Sequence, residues 1–422
     1  MIPWKHQIRL AKEAADIIKQ HMIVYLAMEE RTGKTLTGIL TAEQLDVQDI
    51  LVITKKKALK GWNETLKAYK TTKNFKVINY HQAWKLIGDY DLIMLDESHN
   101  YLSAYPKIGA TCTQLAKLRK ENKPNKSIYD AVKRLAKKKP IIYMSATPHA
   151  QGRQMLYHQF ALSSWSPWRK YSTFYSWFSM YGKPYTIKLQ TGDVTQYDRC
   201  KDKMVEETSK HLFITKTRAE LDFKHEPVDN LHYIHLSANT RDQYNELLKE
   251  QLIFLPCTDE PLVCDTDMKL RASLHMLEGG VAKIDRIEGN KIRPQYFVLA
   301  NREKIDYILE HFGDTEQLVI MYNYIAEKEK LEQVFKKAKI LQATSYAEGV
   351  DLKDYKDLVV YSQDFSTARY TQRRARQCNL NRKEPIIVHF LLIEKAISHQ
   401  VYNTVALNKK NFVDSVFKRE EL

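Results

Sequence analysis

The stretch LAMEERTGKT, Leu26 to Thr35, decides how the chain is read. Its last three residues, Gly33, Lys34 and Thr35, end a phosphate-binding pattern of the form G-x-x-x-x-G-K-[ST]. Met28 stands where the opening glycine belongs, and Glu29, Glu30 and Arg31 fill the middle. An aliphatic run precedes the tripeptide and helical periodicity follows it, so the loop joins a strand to a helix. A helix start offers unpaired backbone NH groups and a positive dipole end to phosphate. Arg31, Thr32 and Gly33 form the cradle, Lys34 reaches the outer phosphates and the Thr35 hydroxyl ligates Mg²⁺. Met28 and Arg31, in place of small residues, are expected to crowd the phosphates with side chains.

Such a loop needs an acidic partner at the end of a neighbouring strand, able to hold the metal ion and orient water. The stretch DLIMLDESHN supplies it: the aliphatic run Leu92 to Leu95 delivers Asp96 and Glu97 to a strand's C-terminal edge, where ligands of α/β sheets bind. Asp96 binds Mg²⁺ through water and Glu97 activates the attacking water in this reading. The bland alternative is two carboxylates capping the next helix.

The chain has 422 residues, 44% hydrophobic and 28% charged, which suits two or three globular domains and is far from a disordered composition. No apolar run approaches the roughly 20 residues of a membrane span, and MIPWKHQIRL lacks a secretory core. Cytosol is the expected address, host cytoplasm if the source is viral. Five cysteines show no C-x-x-C spacing, so neither a disulfide framework nor a zinc site is expected. The net charge of +15 favours a polyanionic partner.

Up to about Thr147, short aliphatic strands (Ile23 to Leu26, Ile50 to Thr54, Phe75 to Asn79, Leu92 to Leu95, Ile141 to Met144) alternate with helical stretches. A second series follows at Leu318 to Tyr322, Lys339 to Leu341, Leu358 to Tyr361 and Ile386 to Leu391. Alternation of this kind predicts α/β architecture with parallel sheets. Three regions are expected: a first lobe over 1–160, an aromatic-rich helical insertion and passage over 161–225, and a second lobe over 226–422. The crowd of rings from Trp165 to Tyr185 has helical spacing and is expected to be core.

The sequence resembles superfamily 2 helicases and translocases of the Swi/Snf-like branch. LAMEERTGKT, DESH at Asp96 to His99 and SATP at Ser145 to Pro148 follow the order of motifs I, II and III. ILVITKKKALKGWNETLKAY and VINYHQAW resemble the segments between them. HLFITKTRAEL resembles the basic strip that begins the passage between lobes. QLVIMYNYIAEKEKLEQVF, ATSYAEGVDL and DFSTARYTQRRARQ resemble motifs IV, V and the approach to VI. The resemblance implies two RecA-like lobes, each a mainly parallel sheet flanked by helices, with ATP between them and nucleic acid across both. It implies that Gln7 reads adenine, that Ser145 and Thr147 couple the ATP site to the track, and that Gly349, Asp351, Gln372 and Arg376 form the second lobe's face. ATP and Mg²⁺ are the implied cofactors.

Two departures bear on chemistry. DESH replaces the commoner DEAH or DEGH. Motif VI runs Q-x-x-x-R-x-x-R in the family, whereas anchoring on Gln372 puts Arg376 on the first arginine and Asn379 on the second. Asparagine cannot supply the charge of an arginine finger, worth roughly 10³ to 10⁵ in rate. The density of Arg369, Arg373, Arg374, Arg376 and Arg382 suggests that one of them compensates.

Lys55, Lys56 and Lys57 follow a strand end where backbone phosphate contact is expected, and point charges suit sequence-blind binding. A second basic stretch, Lys117 to Lys139, holds ten Lys or Arg. The expectation is a compact, DNA-dependent ATPase of phage or bacterial type, monomeric, acting on duplex or branched DNA without a membrane partner. The alternatives are an RNA helicase and an ATP-gated DNA-binding switch with weak hydrolysis.

Overall fold

In the computed structural model the described residues are 1–103, 127–149, 152–189, 192–221, 226–288, 291–343, 352, 354–378, 384–409, 411–413 and 416–422. The chain divides into two compact units, Met1–Asp222 and Phe223–Leu422.

In the first unit, β1 (Ile23–Met28), β2 (Asp49–Thr54), β3 (Asn74–Asn79), β4 (Leu92–Asp96) and β5 (Ile141–Met144) form as the aliphatic runs require. An antiparallel hairpin of β6 (Tyr185–Leu189) and β7 (Gly192–Gln196) follows, and then β8 (Phe213–Lys216). The main sheet is parallel throughout in the order β3-β2-β4-β5-β1-β8. β8 falls in the stretch that resembled a passage between lobes. Its four residues, FITK, are too few for a periodic signal, and it exists because the edge of β1 pairs with it.

The inner strands β1, β2, β4 and β5 are buried on both faces, which is why they read as continuous aliphatic runs. Alternate residues feed two cores. Tyr25, Ile53, Leu95 and Tyr143 point to one, while Leu26, Val52, Met94 and Met144 point to the other. Helices α1 (Lys5–His21), α2 (Lys34–Glu43) and α3 (Leu59–Tyr69) belong to the second side, where Trp62 is buried. Trp168, Trp177, Phe178 and Tyr181 of the aromatic stretch pack into the first core, as ring spacing predicted. Trp177 stacks on Tyr181 at 5.2 Å between centroids and meets Trp168 edge-on at 5.6 Å.

In the second unit, β9 (Pro227–Ile234) precedes two short antiparallel pairs, β10 (Leu252–Phe254) with β11 (Pro261–Val263) and β12 (Val281–Glu288) with β13 (Lys291–Val298). β14 (Leu318–Tyr322), β15 (Lys339–Gln342), β16 (Asp357–Val360) and β17 (Ile386–Ile393) complete a parallel sheet in the order β15-β14-β16-β17-β9. Each unit is therefore a parallel sheet with flanking helices, the expected RecA-like class. Among the described residues no helix is long and apolar enough to cross a membrane.

Trp177 is fully buried, and its indole nitrogen has no hydrogen-bond acceptor. Trp177→Ala is expected to cost about 3–5 kcal/mol, the range for emptying a large aromatic site. Trp177→Phe keeps most of the packing and strands no polar group, so its cost is expected to be well below that of alanine. Urea unfolding midpoints of the two variants check the order.

Candidate active site

Sheet register builds the site. Leu26 pairs with Met144 across β1 and β5, and Met144 pairs with Asp96 across β5 and β4. The phosphate loop and the acidic pair therefore leave the same sheet edge one strand apart. Ser145 N donates to Leu26 O (3.2 Å) and Glu97 N to Met144 O (2.7 Å), carrying the ladder into both loops.

Met28 ends β1 fully buried in the core, so it does not crowd the phosphates as its position in the pattern suggested. The loop then turns through Arg31 and Gly33, both in the left-handed region at φ 67° and 87°. Gly33 has a second reason to lack a side chain, since a Cβ there would lie 2.1 Å from Gln7 Nε2. Glu29 and Glu30 turn toward Arg218, whose backbone NH donates to Glu29 Oε2 at 2.8 Å. Thr32 is buried, with its hydroxyl on Glu29 O at 2.7 Å. Lys34 folds back over the loop, donating from Nζ to Met28 O (2.6 Å) and Glu29 O (3.1 Å). A phosphate arriving there meets an ammonium already in place and competes only with neutral carbonyls. Gly33 caps α2 without a side-chain hydrogen bond, which leaves that end to an anion. Thr35 is half-buried in the first turn.

Gln7 is buried beneath this loop. Its Nε2 donates to Gly33 O (3.2 Å) and its Oε1 accepts from Trp4 N (2.8 Å). The carboxamide thus braces the loop, and the rings at the rim are Trp4 and His6, 5.4 Å apart.

Asp96 is buried, with Oδ2 accepting from Thr54 Oγ1 (2.6 Å) and Trp62 Nε1 (3.0 Å). Its Oδ1 takes no hydrogen bond among the described residues and remains an acceptor for water bound to a metal ion. No cluster of three metal-ligating side chains exists among the described residues. Mg²⁺ keeps most of its waters and leans on one or two protein oxygens plus substrate phosphates. Thr35 and Asp96 fit such a role. Thr54 and Trp62 were not singled out as site residues in the sequence, although both lie within a quoted segment and Thr54 ends a strand at the binding edge.

Glu97 has left-handed backbone, φ 52°, a strained state for a residue with a side chain. Ser145 Oγ lies 3.4 Å from Glu97 Oε2 and 2.8 Å from His99 Nδ1, and it accepts from Thr147 N at 3.0 Å. Asn100 Nδ2 lies 2.9 Å from His99 Nε2. With Asn100 donating, His99 carries its proton on Nδ1, gives it to Ser145, and Ser145 gives its own to Glu97. Burial, with the nearby charges of Lys55 and Lys34, pushes His99 down to about 3, so its 3.5 Å contact with Glu97 joins a carboxylate to a neutral ring.

Lys56 and Lys57 are exposed. Lys55 is half-buried, its charge acting on His99, so the three lysines do not form one outward row. Of the basic stretch Lys117 to Lys139, residues 117–126 lie outside the described set.

In the second unit Gly349, Asp351, Asn379 and Arg382 lie outside the described residues, as does the side chain of Gln372. Arg376 occupies the single turn Ala375–Gln377, and its carbonyl accepts from Leu352 N at 3.4 Å. Arg373 and Arg374 precede it at the end of the helix Thr367–Arg374. Arg373 is buried 3.7 Å from Asp364 Oδ2, and Arg374 donates to Asp229 Oδ1 and Pro227 O, both at 2.5 Å. Arg374 is thereby tied to β9, whereas the buried Arg373 guanidinium makes no hydrogen bond among the described residues.

No protein-family model and no curated protein matches the chain. Solved structures do. The SWI2/SNF2 ATPase core domain of Sulfolobus solfataricus aligns over 97% of this chain and 90% of its own, at 13% identity and a TM-score of 0.40. So loose a superposition assigns no residue, and each role rests on the side chains and their partners in this chain.

An unfolded histidine titrates near 6.5, so between that value and about 3 the unfolded chain binds a proton that folded His99 refuses. The stability from neutral His99 is complete above pH 6.5 and is lost as pH falls toward 3. His99→Asn is expected to flatten this acid limb. Urea unfolding from pH 4 to 7 on both proteins measures the slope.

Proposed function

We propose that the chain is an ATPase that uses hydrolysis to move along duplex or branched DNA without reading sequence. The observation that carries the reading is the shared sheet edge of Lys34, Asp96 and Glu97, with Glu97 held through Ser145 and His99. Backbone NH groups at the start of α2 and the Lys34 ammonium hold the phosphates. Thr35 and, through water, Asp96 would hold Mg²⁺, which when bound neutralises charge on the phosphates. Glu97 takes a proton from the attacking water, and the Ser145 hydroxyl fixes the carboxylate in that attitude. Arg376 supplies the positive charge expected of motif VI. The +15 charge and Lys55 to Lys57 favour a phosphate backbone as the partner.

Steady-state ATPase against single-stranded, duplex, forked and four-way DNA and RNA tests the proposal. Stimulation by duplex or branched DNA is expected, and stimulation by RNA alone replaces it with an RNA helicase. Bound ATP with negligible turnover would favour the ATP-gated switch that Asn379 suggests.

Glu97→Gln is expected to lower kcat at least about 10²-fold, the scale of a lost general base. Arg376→Ala is expected to lower it about 10³-fold, whereas Arg374→Ala should act mainly on the unfolding midpoint. Turnover and melting measured on the same samples separate the two arginines.

A further inference from the structure

Gln159 lies in the apolar stretch MLYHQF and belongs to no recognised motif, yet it is completely buried with all its hydrogen-bonding capacity spent. Oε1 accepts from Ser98 Oγ (2.7 Å) and Tyr25 OH (2.9 Å). Nε2 donates to Pro148 O (2.9 Å) and, more weakly, to Met155 O (3.5 Å). The two carbonyls can only accept, so the orientation of the amide is fixed by its neighbours. Tyr25 OH lies 3.3 Å from Ser98 Oγ and closes a triangle, while Tyr143 OH donates to the Gln159 backbone carbonyl at 2.8 Å. Burial holds the Tyr25 phenol far above its ordinary pKa, so it remains a neutral donor.

These partners come from three stretches that carry the chemistry. Tyr25 is on the strand that feeds the phosphate loop, Ser98 follows Glu97 directly, and Pro148 closes the turn that begins with Ser145. We propose that Gln159 is a positioning residue that latches the Glu97–His99 turn to the Ser145–Pro148 turn, so that movement in one is transmitted to the other. The serine of DESH is then functional, because alanine or glycine there offers Gln159 no hydroxyl. The inference rests on the ATPase reading and adds to it the side chain through which polymer binding reaches Glu97.

The test uses the full chain, with ATP turnover measured alone and with whichever nucleic acid stimulates the unaltered protein most. Gln159→Leu fills the space and removes every side-chain hydrogen bond, while Ser98→Ala removes one arm with little change in volume. Each is expected to lower the ratio of stimulated to unstimulated kcat, Gln159→Leu by about tenfold, the rate equivalent of one good hydrogen bond. KM for ATP should stay within about twofold, since the latch touches no phosphate-binding group. The double variant should fall no further than Gln159→Leu alone, because both changes break the same connection. A purely structural glutamine would lower the melting temperature and leave the ratio alone, and that result, or additive losses, overturns the latch. If Gln159→Leu does not fold, an unchanged ratio in Ser98→Ala overturns it alone. An unaltered protein without ATPase activity, or without stimulation by any polymer, removes the underlying reading and the latch with it. Active, stimulated protein with unaffected variants removes only the latch.

Discussion

The parallel ladder Leu26, Met144, Asp96 is the constraint on which the first unit depends. Because side chains alternate across a strand, slipping one register by a single residue would exchange the residues packed into the two buried cores and break the fit of both. Strong specification of register by hydrophobic burial is therefore also strong specification of where Lys34 stands relative to Glu97. The same apolar mass that stabilises the sheet sets the geometry of its edge. Side-chain placement at that edge needs no separate scaffold.

Polar groups at that edge are held by partners that are themselves immobile. Tyr80 OH donates to the Asp96 carbonyl at 2.9 Å, while Thr54 and Trp62 hold the carboxylate. Each donor sits on a different element, so rotation of Asp96 would leave several buried groups unsatisfied at once. Loss of one such partner costs about 1–3 kcal/mol in desolvation alone. Glu97, by contrast, sits on strained backbone and depends on Ser145 and His99 for its attitude. Asp96 is fixed, and Glu97 is adjustable.

The second unit uses buried charge in place of a phosphate loop. Lys304 and Glu278 lie 3.8 Å apart with almost no solvent exposure, and burial lowers the lysine and raises the carboxyl. Glu327 accepts from Ser362 Oγ at 2.6 Å and from the backbone NH groups of Asn323 and Tyr324, so it closes the end of β14. Charges this deep are costly to desolvate and stabilise little by themselves. What they contribute is orientation: Asp364, gripped by Arg369 at 2.6 Å and faced by Arg373, fixes the helix Thr367–Arg374 that leads to Arg376.

Much of this was legible in the sequence because it follows from local rules. Short apolar runs bounded by helical stretches announced nine of the eleven strands of the two main sheets; the central ones are buried on both faces and so are apolar along their length, while β3 and β15 are edge strands with partly exposed residues. The missed pair, β8 and β9, are edge strands whose polar, irregular composition carries no period and whose existence depends on a neighbour. Gly33, Lys34, Asp96 and Glu97 were readable as side-chain chemistry at strand ends. The sequence by itself determined the fold class and the strand ends that carry Lys34, Asp96 and Glu97. Only the tertiary structure decided that Met28 turns into the core, that Arg374 is paired with Asp229, that Thr54 and Trp62 hold Asp96, and that Gln159 joins Tyr25 to Ser98. Those assignments rest on burial and on hydrogen bonds between residues 34 to 145 positions apart, and no local pattern encodes such a distance.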